Sequence, residues 1–317
     1  MVLYEIVGVF IYPGMAFLFG LAFLYEWIDR KFFARVQNRI GPLYTGRSGI
    51  LQPVADFIKL LSKEDIVPAS CERPVFSAIP IVYATLPLIA LFVIPITGSA
   101  LIAFEGDVIF LMFVSALITL TVFLAGWSSA GSFSRIGGIR SALQMLSYEI
   151  PFGLALIGPA ISAHSLSLTK IAQWQAANSS WFLWLQPIGF AVVLISLLAE
   201  LELVPFDIPE AETEIVAGWL TEYGGRRLAL FRLGKDLELV VASTLVASLY
   251  LGGAQPLFFI PPVVILILKS IIVLLLISFV RAIFARFRID QMTSGMWTYL
   301  LPLMIVQILL VQFGIGG

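Results

Sequence analysis

The chain reads as long apolar runs separated by short polar punctuation. Eight windows approach or exceed the length of about 20 apolar residues that a helix needs to cross a bilayer: Val2–Trp27, Phe76–Ile96, Val108–Ala130, Ile139–Ala163, Trp181–Val204, Leu228–Leu251, Leu257–Val280 and Gly295–Gln312. The pattern predicts an all-α integral membrane protein, residues 1–317 forming a single polytopic domain with eight transmembrane helices. The first run lacks a basic leader and a small-residue cleavage site and flows into a charged segment, so it is expected to be a retained span.

Composition agrees with that reading. Hydrophobic residues make up 60% and charged residues 12%, against about 25% charged in a soluble domain, and the mean hydropathy is +0.99. The net charge of −1 gives no reason to expect nucleic acid as a partner. Where the charges fall matters more. Arginines and lysines gather between the first two windows, around Arg135 and Arg140, at Arg226, Arg227 and Arg232, and at Arg281, Arg286 and Arg288, whereas the alternate loops hold only Lys170. The positive-inside rule then places both termini outside and the large basic loops in the cytoplasm, as in a multi-pass protein of the cell membrane.

The first basic loop carries a periodic stretch. Beyond Gly41 and Pro42, Ser48 is positioned to cap a helix with Ile50, Leu51, Val54, Ile58 and Leu61 on one face and Gln52, Asp56, Lys59 and Lys63 on the other. An amphipathic helix lying in the membrane plane fits the pattern. A surface helix packed on a partner fits it too.

Carboxylates inside the apolar runs are the candidate chemistry. Glu200 to Tyr223 holds seven acids, Glu200, Glu202, Asp207, Glu210, Glu212, Glu214 and Glu222, with Pro205 and Pro209 as punctuation. An ionisable side chain at the bilayer centre costs about 2.5 to 3.5 kcal/mol on insertion scales, so such groups face a wet cavity or a partner. A buried acidic pathway for protons or other cations follows as the expectation, against a solvated acidic loop that binds a partner's basic surface. Glu149 sits two turns into the fourth window just before Pro151, and either carries charge along that path or bonds a neighbouring helix. Glu200 and Glu202 diverge by about 200° on a helix, while Glu210 and Glu214, one turn apart, can face one cavity and share a proton. In the sixth window, the spacings Arg232–Asp236 and Lys235–Glu238 suggest pairing within the helix, with Glu238 deep enough to extend an acid path. Arg140 and the arginines after the seventh window are expected to snorkel or face a partner, and Lys269 to reach a carboxyl on another helix or the outer interface.

The single His164 and single Cys71 bound the cofactors. An iron–sulfur cluster takes about four thiolates and a bis-histidine haem two imidazoles, so this chain supplies neither, and no metal site is expected. Electrons, if any move, reside in other polypeptides.

Four stretches resemble one family: RKFFARVQNRIGP continuing to GILQPVADFIKLLSKED, AGWSSAGSFSRIGGIRSALQMLSYEI, PFDIPEAETEIVAGWLTEY, and RAIFARFRIDQMTSGMWTYLLP. They are similar to the membrane subunit of respiratory complex I that adjoins the quinone site (the H-type subunit), a type that recurs in membrane-bound [NiFe]-hydrogenases and sulfane reductases. The resemblance implies an anchor beneath a peripheral redox arm of iron–sulfur and hydrogenase-large-type subunits, which carry the clusters and, in the hydrogenase branch, [NiFe]. It also implies antiporter-like membrane subunits alongside in the lipid bilayer. It assigns Glu149 to the family's SYE glutamate, Glu210, Glu212, Glu214 and Glu222 to its acidic loop, and Arg35, Gly41 and Pro42 to its first-loop signature, with Asp207 in the same cavity-shaping region. Two departures stand out. The family's E-T-N-R-T-P-F-D is here Glu200-Leu201-Glu202-Leu203-Val204-Pro205-Phe206-Asp207, with leucine for an arginine associated with quinone access, and its L-G-E-Y is Leu233-Gly234-Lys235-Asp236. Both look more like the hydrogenase and sulfane-reductase branch than the quinone-reducing NADH dehydrogenase.

Three functions therefore compete. A subunit of a redox complex that couples electron transfer to H+ or Na+ translocation explains the buried acids together with the missing cofactor ligands. A stand-alone secondary cation transporter also uses intramembrane acids, although the two halves show no inverted repeat. A passive anchor would use its acids only to bind partners.

Overall fold

In the computed structural model, which describes residues 9–255, 260–314 and 316, the regular elements are helical. We label the ten longer ones α1 (Met15–Val36), α2 (Gln52–Ser62), α3 (Arg73–Val93), α4 (Asp107–Ser128), α5 (Ser132–Ser162), α6 (Leu168–Ala177), α7 (Pro187–Glu200), α8 (Gly225–Tyr250), α9 (Pro262–Ile283) and α10 (Ile289–Gln312). Residues 2–8 of the first window and 257–259 of the seventh lie outside the described residues.

Five helices, α3, α4, α5, α9 and α10, are long and apolar enough to cross a membrane. The other three windows take different forms. The first is helical as α1, which starts at Met15 and ends in the charged segment Glu26–Arg35. The fifth is broken at Gln186, so that α7 has only 14 residues. The sixth becomes α8, a 26-residue helix whose first fourteen residues include Arg232, Lys235, Asp236 and Glu238. The fourth window extends seven residues earlier, to Ser132, and α5 runs through Pro151 and Pro159 without ending.

α8 is the spine. It packs on α1, α2, α3 and α9 and touches α5, α6 and α7. Beyond Glu238 it carries no charge and is almost wholly buried, the signature of a core helix. α4 and α5 approach closely because Gly126 and Gly138 oppose one another; a Cβ on Gly126 would lie 3.0 Å from the Gly138 backbone. Buried polar side chains then tie the bundle. At the end remote from the basic loops, Asp107 accepts from Ser167 Oγ at 3.0 Å and from the Leu168 N–H at 3.1 Å, pinning α4 to the start of α6. Gln144 Nε2 donates to the Ala199 and Phe206 carbonyls at 2.7 and 3.0 Å, fixing α5 against the end of α7 and the loop beyond it. Among the described residues Lys269 bonds no carboxyl: it donates to the Gly253 carbonyl at 2.9 Å and lies over the Trp181 ring.

α2 begins four residues after Ser48, with Pro53 in its first turn. Ser48 is not its cap. Its backbone sits at φ 60°, and its carbonyl accepts from Trp27 Nε1 and Lys31 Nζ, each at 3.2 Å, which folds the loop onto α1. The expected faces are present in part: Leu51, Ile58 and Leu61 are exposed and Asp56 turns inward toward α1, but Lys59 and Lys63 are exposed as well.

The loop between α7 and α8 lies tightly on α5. Gly218 has φ +52°, and a Cβ there would fall 1.8 Å from the Pro209 carbonyl oxygen, whereas Gly224 has open space around its Cβ direction. Replacing Gly218 by alanine therefore costs left-handed backbone strain of about 1 to 3 kcal/mol before the clash is added. We expect Gly218→Ala to lower the thermal midpoint of the detergent-solubilised protein markedly and Gly224→Ala to shift it little; equal shifts would contradict this packing.

Candidate functional site

Ion pairs gather the basic segments and the acidic loop at one end of the bundle. Asp29 on α1 accepts from Arg281 at 2.9 Å and from the Ser278 hydroxyl, both on α9, and Arg281 also lies over the Phe33 ring. Arg30 bridges Glu26 on its own helix and Asp56 on α2, the latter at 2.8 Å, clamping α2 to α1. Against its partial burial, hydrogen bonds from Arg30 and Gln52 keep the Asp56 carboxyl below its ordinary value. Arg227 pairs with Asp65 and bonds Ser77 at 3.2 Å.

Between these elements opens a cavity of about 450 Å³, lined by residues of α1, α2, α8, α9 and the α7–α8 loop. Nine carboxylates and four basic side chains line it, among them Glu202, Asp207, Glu210, Glu212, Lys235 and Glu238. Ordinary ligand pockets are predominantly apolar; this one mixes thirteen charged side chains with ten apolar ones.

The loop acids divide. Glu202 is almost fully buried and accepts from Ser141 Oγ at 2.8 Å and Trp219 Nε1 at 3.1 Å. Glu210 contacts Lys235, whose ammonium is also 3.6 Å from Glu202. Glu214 turns the other way, to Arg140 at 2.6 Å and to Arg286. The expected shared cavity of Glu210 and Glu214 is thus absent, because the chain turns helical only at Glu212 and places them on opposite sides. Arg140 and Arg286 both neutralise Glu214, and Arg281 neutralises Asp29. Glu212 is exposed at the cavity rim. Glu222 packs on Gly131 at the start of α5, outside the cavity lining. Arg35 is exposed at the end of α1, Gly41 lies on the α1 backbone and the Pro42 carbonyl accepts from Lys31 at 2.8 Å, so the first-loop signature flanks the cavity without lining it.

Deeper in, the pairing expected within the sixth window gives way to contacts across helices. Lys235 turns to the loop acids, and Glu238 accepts from the Tyr83 hydroxyl of α3 at 2.9 Å. Glu238 borders the large cavity and also a second one of about 20 Å³, which it shares with Ser115 and Glu200. A space of at least about 10 to 15 Å³ holds one water. Glu200 Oε2 is buried with no hydrogen-bond partner among the described residues. Glu149, half-buried on α5, stands near enough for its charge to repel that of Glu200. Tyr83, Ser141 and Trp219 escaped sequence reasoning, since Tyr83 and Ser141 acquire their roles from acids far along the chain and Trp219 from one across an irregular loop. Glu26 and Asp29 had one usable signal, their clustering with Arg30 at the end of an apolar run.

Two acids of the loop titrate oppositely. Hydrogen bonding and charge from Arg140 and Arg286 hold Glu214 below its ordinary value, so its contribution to stability is present above the unfolded carboxylate range and is lost as pH falls through its lowered folded value. Burial and the neighbouring Glu210 push Asp207 from 3.8 up to about 6, so that acid becomes a liability as pH rises through that interval. We expect Asp207→Asn to raise the thermal midpoint relative to wild type at pH 8, with the advantage fading between about pH 6 and pH 4. A constant difference across that range would show that Asp207 does not titrate as its surroundings require.

The sequence profile of the NADH dehydrogenase family matches residues 9–312. The chain is 41% identical, over 93% of its length and 91% of the relative's, to the second H-type subunit of NADH-quinone oxidoreductase from Syntrophobacter fumaroxidans. The H-type subunits of NADH-quinone oxidoreductase from Carboxydothermus hydrogenoformans and Dehalococcoides mccartyi are 37% and 39% identical to it, over 99% and 95% of this chain and 89% and 86% of theirs. With helices fit to cross a membrane, an acid-lined cavity at one end, and matches of this extent, the chain belongs to the NADH dehydrogenase family of membrane subunits.

Proposed function

We propose that this chain is the membrane-anchoring and ion-pathway subunit of a complex-I-like redox complex, with its redox centres in partner subunits and its acids carrying ions between the basic-end cavity and a neighbouring membrane subunit. The observation that carries the reading is Glu238, which borders both cavities and so joins the wide charge-lined chamber to Glu200 and, beyond it, Glu149. A carboxyl that serves only to hold helices together needs no open space on two sides, and the smaller space, though mostly apolar, offers Glu200, Ser115 and Glu238 as polar partners for a water. The relatives' names support a place in an NADH-quinone oxidoreductase-type complex.

A second reading, the hydrogenase or sulfane-reductase branch, is favoured by the cavity lining. Leu203, Lys235 and Asp236, the positions where the sequence departs from the quinone-reducing pattern, all line the chamber, and a chamber so rich in charge suits an apolar quinone ring poorly. The composition of the native particle separates the branches: a large soluble partner with the cysteines that ligate nickel supports the hydrogenase branch, loss of only some of them the sulfane-reductase branch, and a cysteine-free counterpart the quinone branch.

The shared part of the reading is tested in liposomes that contain the whole complex, with reduced methyl viologen as electron source. Glu200→Gln and Glu238→Gln are expected to cut ion movement at least about tenfold, within the range of lost proton-transfer groups, while electron transfer and assembly persist. Variants that assemble poorly yet remain fully coupled would establish the passive anchor instead. Migration of the solubilised chain alone, without cofactor-bearing partners, would establish a free transporter.

A further inference from the structure

One cation sits inside the acid row, and it belongs to the chain. Lys235 contacts Glu210, lies 3.6 Å from Glu202, and stands 5.3 Å above the Trp219 ring. Trp219 is itself fully buried and donates its indole N–H to Glu202, whose other oxygen takes the Ser141 hydroxyl. Carboxylate oxygens converging beside an aromatic face are the surroundings that attract a cation, and here they surround a tethered ammonium. The place is strategic. Lys235 lines the large chamber one turn before Glu238 on α8, so a cation that leaves the chamber by way of Glu238 toward Glu200 does so within one helical turn of the ammonium.

Resting on the ion-path reading above, we propose that Lys235 is a specificity-determining residue: its ammonium occupies the cation-binding position at the entrance to the acid row, so that the row passes protons and rejects sodium. A proton crosses this position without displacing anything, because it can be handed along hydrogen bonds between carboxyls, water and ammonium. A sodium ion needs the carboxylate oxygens for itself. It would have to expel the ammonium from Glu202 and Glu210 and then pass close to a fixed positive charge. An ordinary structural ion pair predicts none of this, since any replacement that preserved packing would leave ion selectivity unchanged.

The test uses the whole complex in liposomes, turning over with reduced methyl viologen, with internal acidification and uptake of radioactive sodium followed together. Wild type and Lys235→Arg, which keeps a cation in place, are expected to acidify the lumen and take up no sodium beyond what a protonophore abolishes. Lys235→Met is expected to slow at least about tenfold in saturating sodium relative to sodium-free buffer, or to take up sodium itself. The double variant Lys235→Met with Glu210→Gln, which removes a sodium ligand along with the ammonium, is expected to lose that sodium response. Protonophore-resistant sodium uptake by wild type would overturn the proposal, and that arm decides even if Lys235→Met fails to assemble. Wild-type proton movement in Lys235→Met, indifferent to sodium, would overturn it as well. Electron transfer by wild type with movement of neither ion would overturn the ion-path reading itself, a result distinguishable from both.

Discussion

A carboxylate withdrawn from water must be met by a cation, by a hydrogen-bond donor or by retained water, and the layout of this molecule follows from how each of its acids is met. At the basic end the answer is mostly cations: Arg281 for Asp29, Arg30 for Glu26 and Asp56, Arg140 and Arg286 for Glu214, Lys235 for Glu202 and Glu210. One turn deeper it is a single neutral donor, Tyr83, for Glu238. At Glu200 one oxygen has neither among the described residues, and the residue borders a space the size of a water. Compensation by fixed groups thins out along the row, and a group left to water and to its own protonation state is the kind that can exchange a proton.

The fold supplies the frame for that gradient. α8 places a charged stretch at the chamber and an uncharged one in the core, so a single helix carries Lys235 and Glu238 while anchoring the bundle. The α7–α8 loop, pressed onto α5 at Gly218 and Gly137, sets Trp219 against Glu202. α2 closes the chamber's flank through Asp56 and leaves Leu51, Ile58 and Leu61 turned outward, the arrangement of a helix that meets lipid or another chain with its apolar face.

Local chemistry was legible in the sequence, and distant pairing was not. Apolar run length marked the helices, and period marked part of the two faces of α2. The acids were conspicuous because a charge in an apolar run is costly. Their partners were hidden: Tyr83 and Glu238 are 155 residues apart, Arg140 and Glu214 are 74 apart, and neither tyrosine nor arginine has anything unusual in its neighbourhood. Helical spacing misled twice for the same reason. It joined Glu210 to Glu214 although the loop is not helical between them, and it paired Lys235 with Glu238 although a closer carboxylate waited on another segment. The early start given to α2 failed because Trp27 and Lys31 hold Ser48 on α1.

The account rests on the row from the chamber through Glu238 and Glu200 to Glu149 being wet and continuous. A density map of the native complex fine enough to place ordered water tests this most directly. The account predicts water in the space shared by Glu200 and Glu238, and a polar group of an adjoining subunit or further water beside Glu149. A dry, apolar-filled space between Glu200 and Glu238, with Glu149 turned to acyl chains, would contradict it.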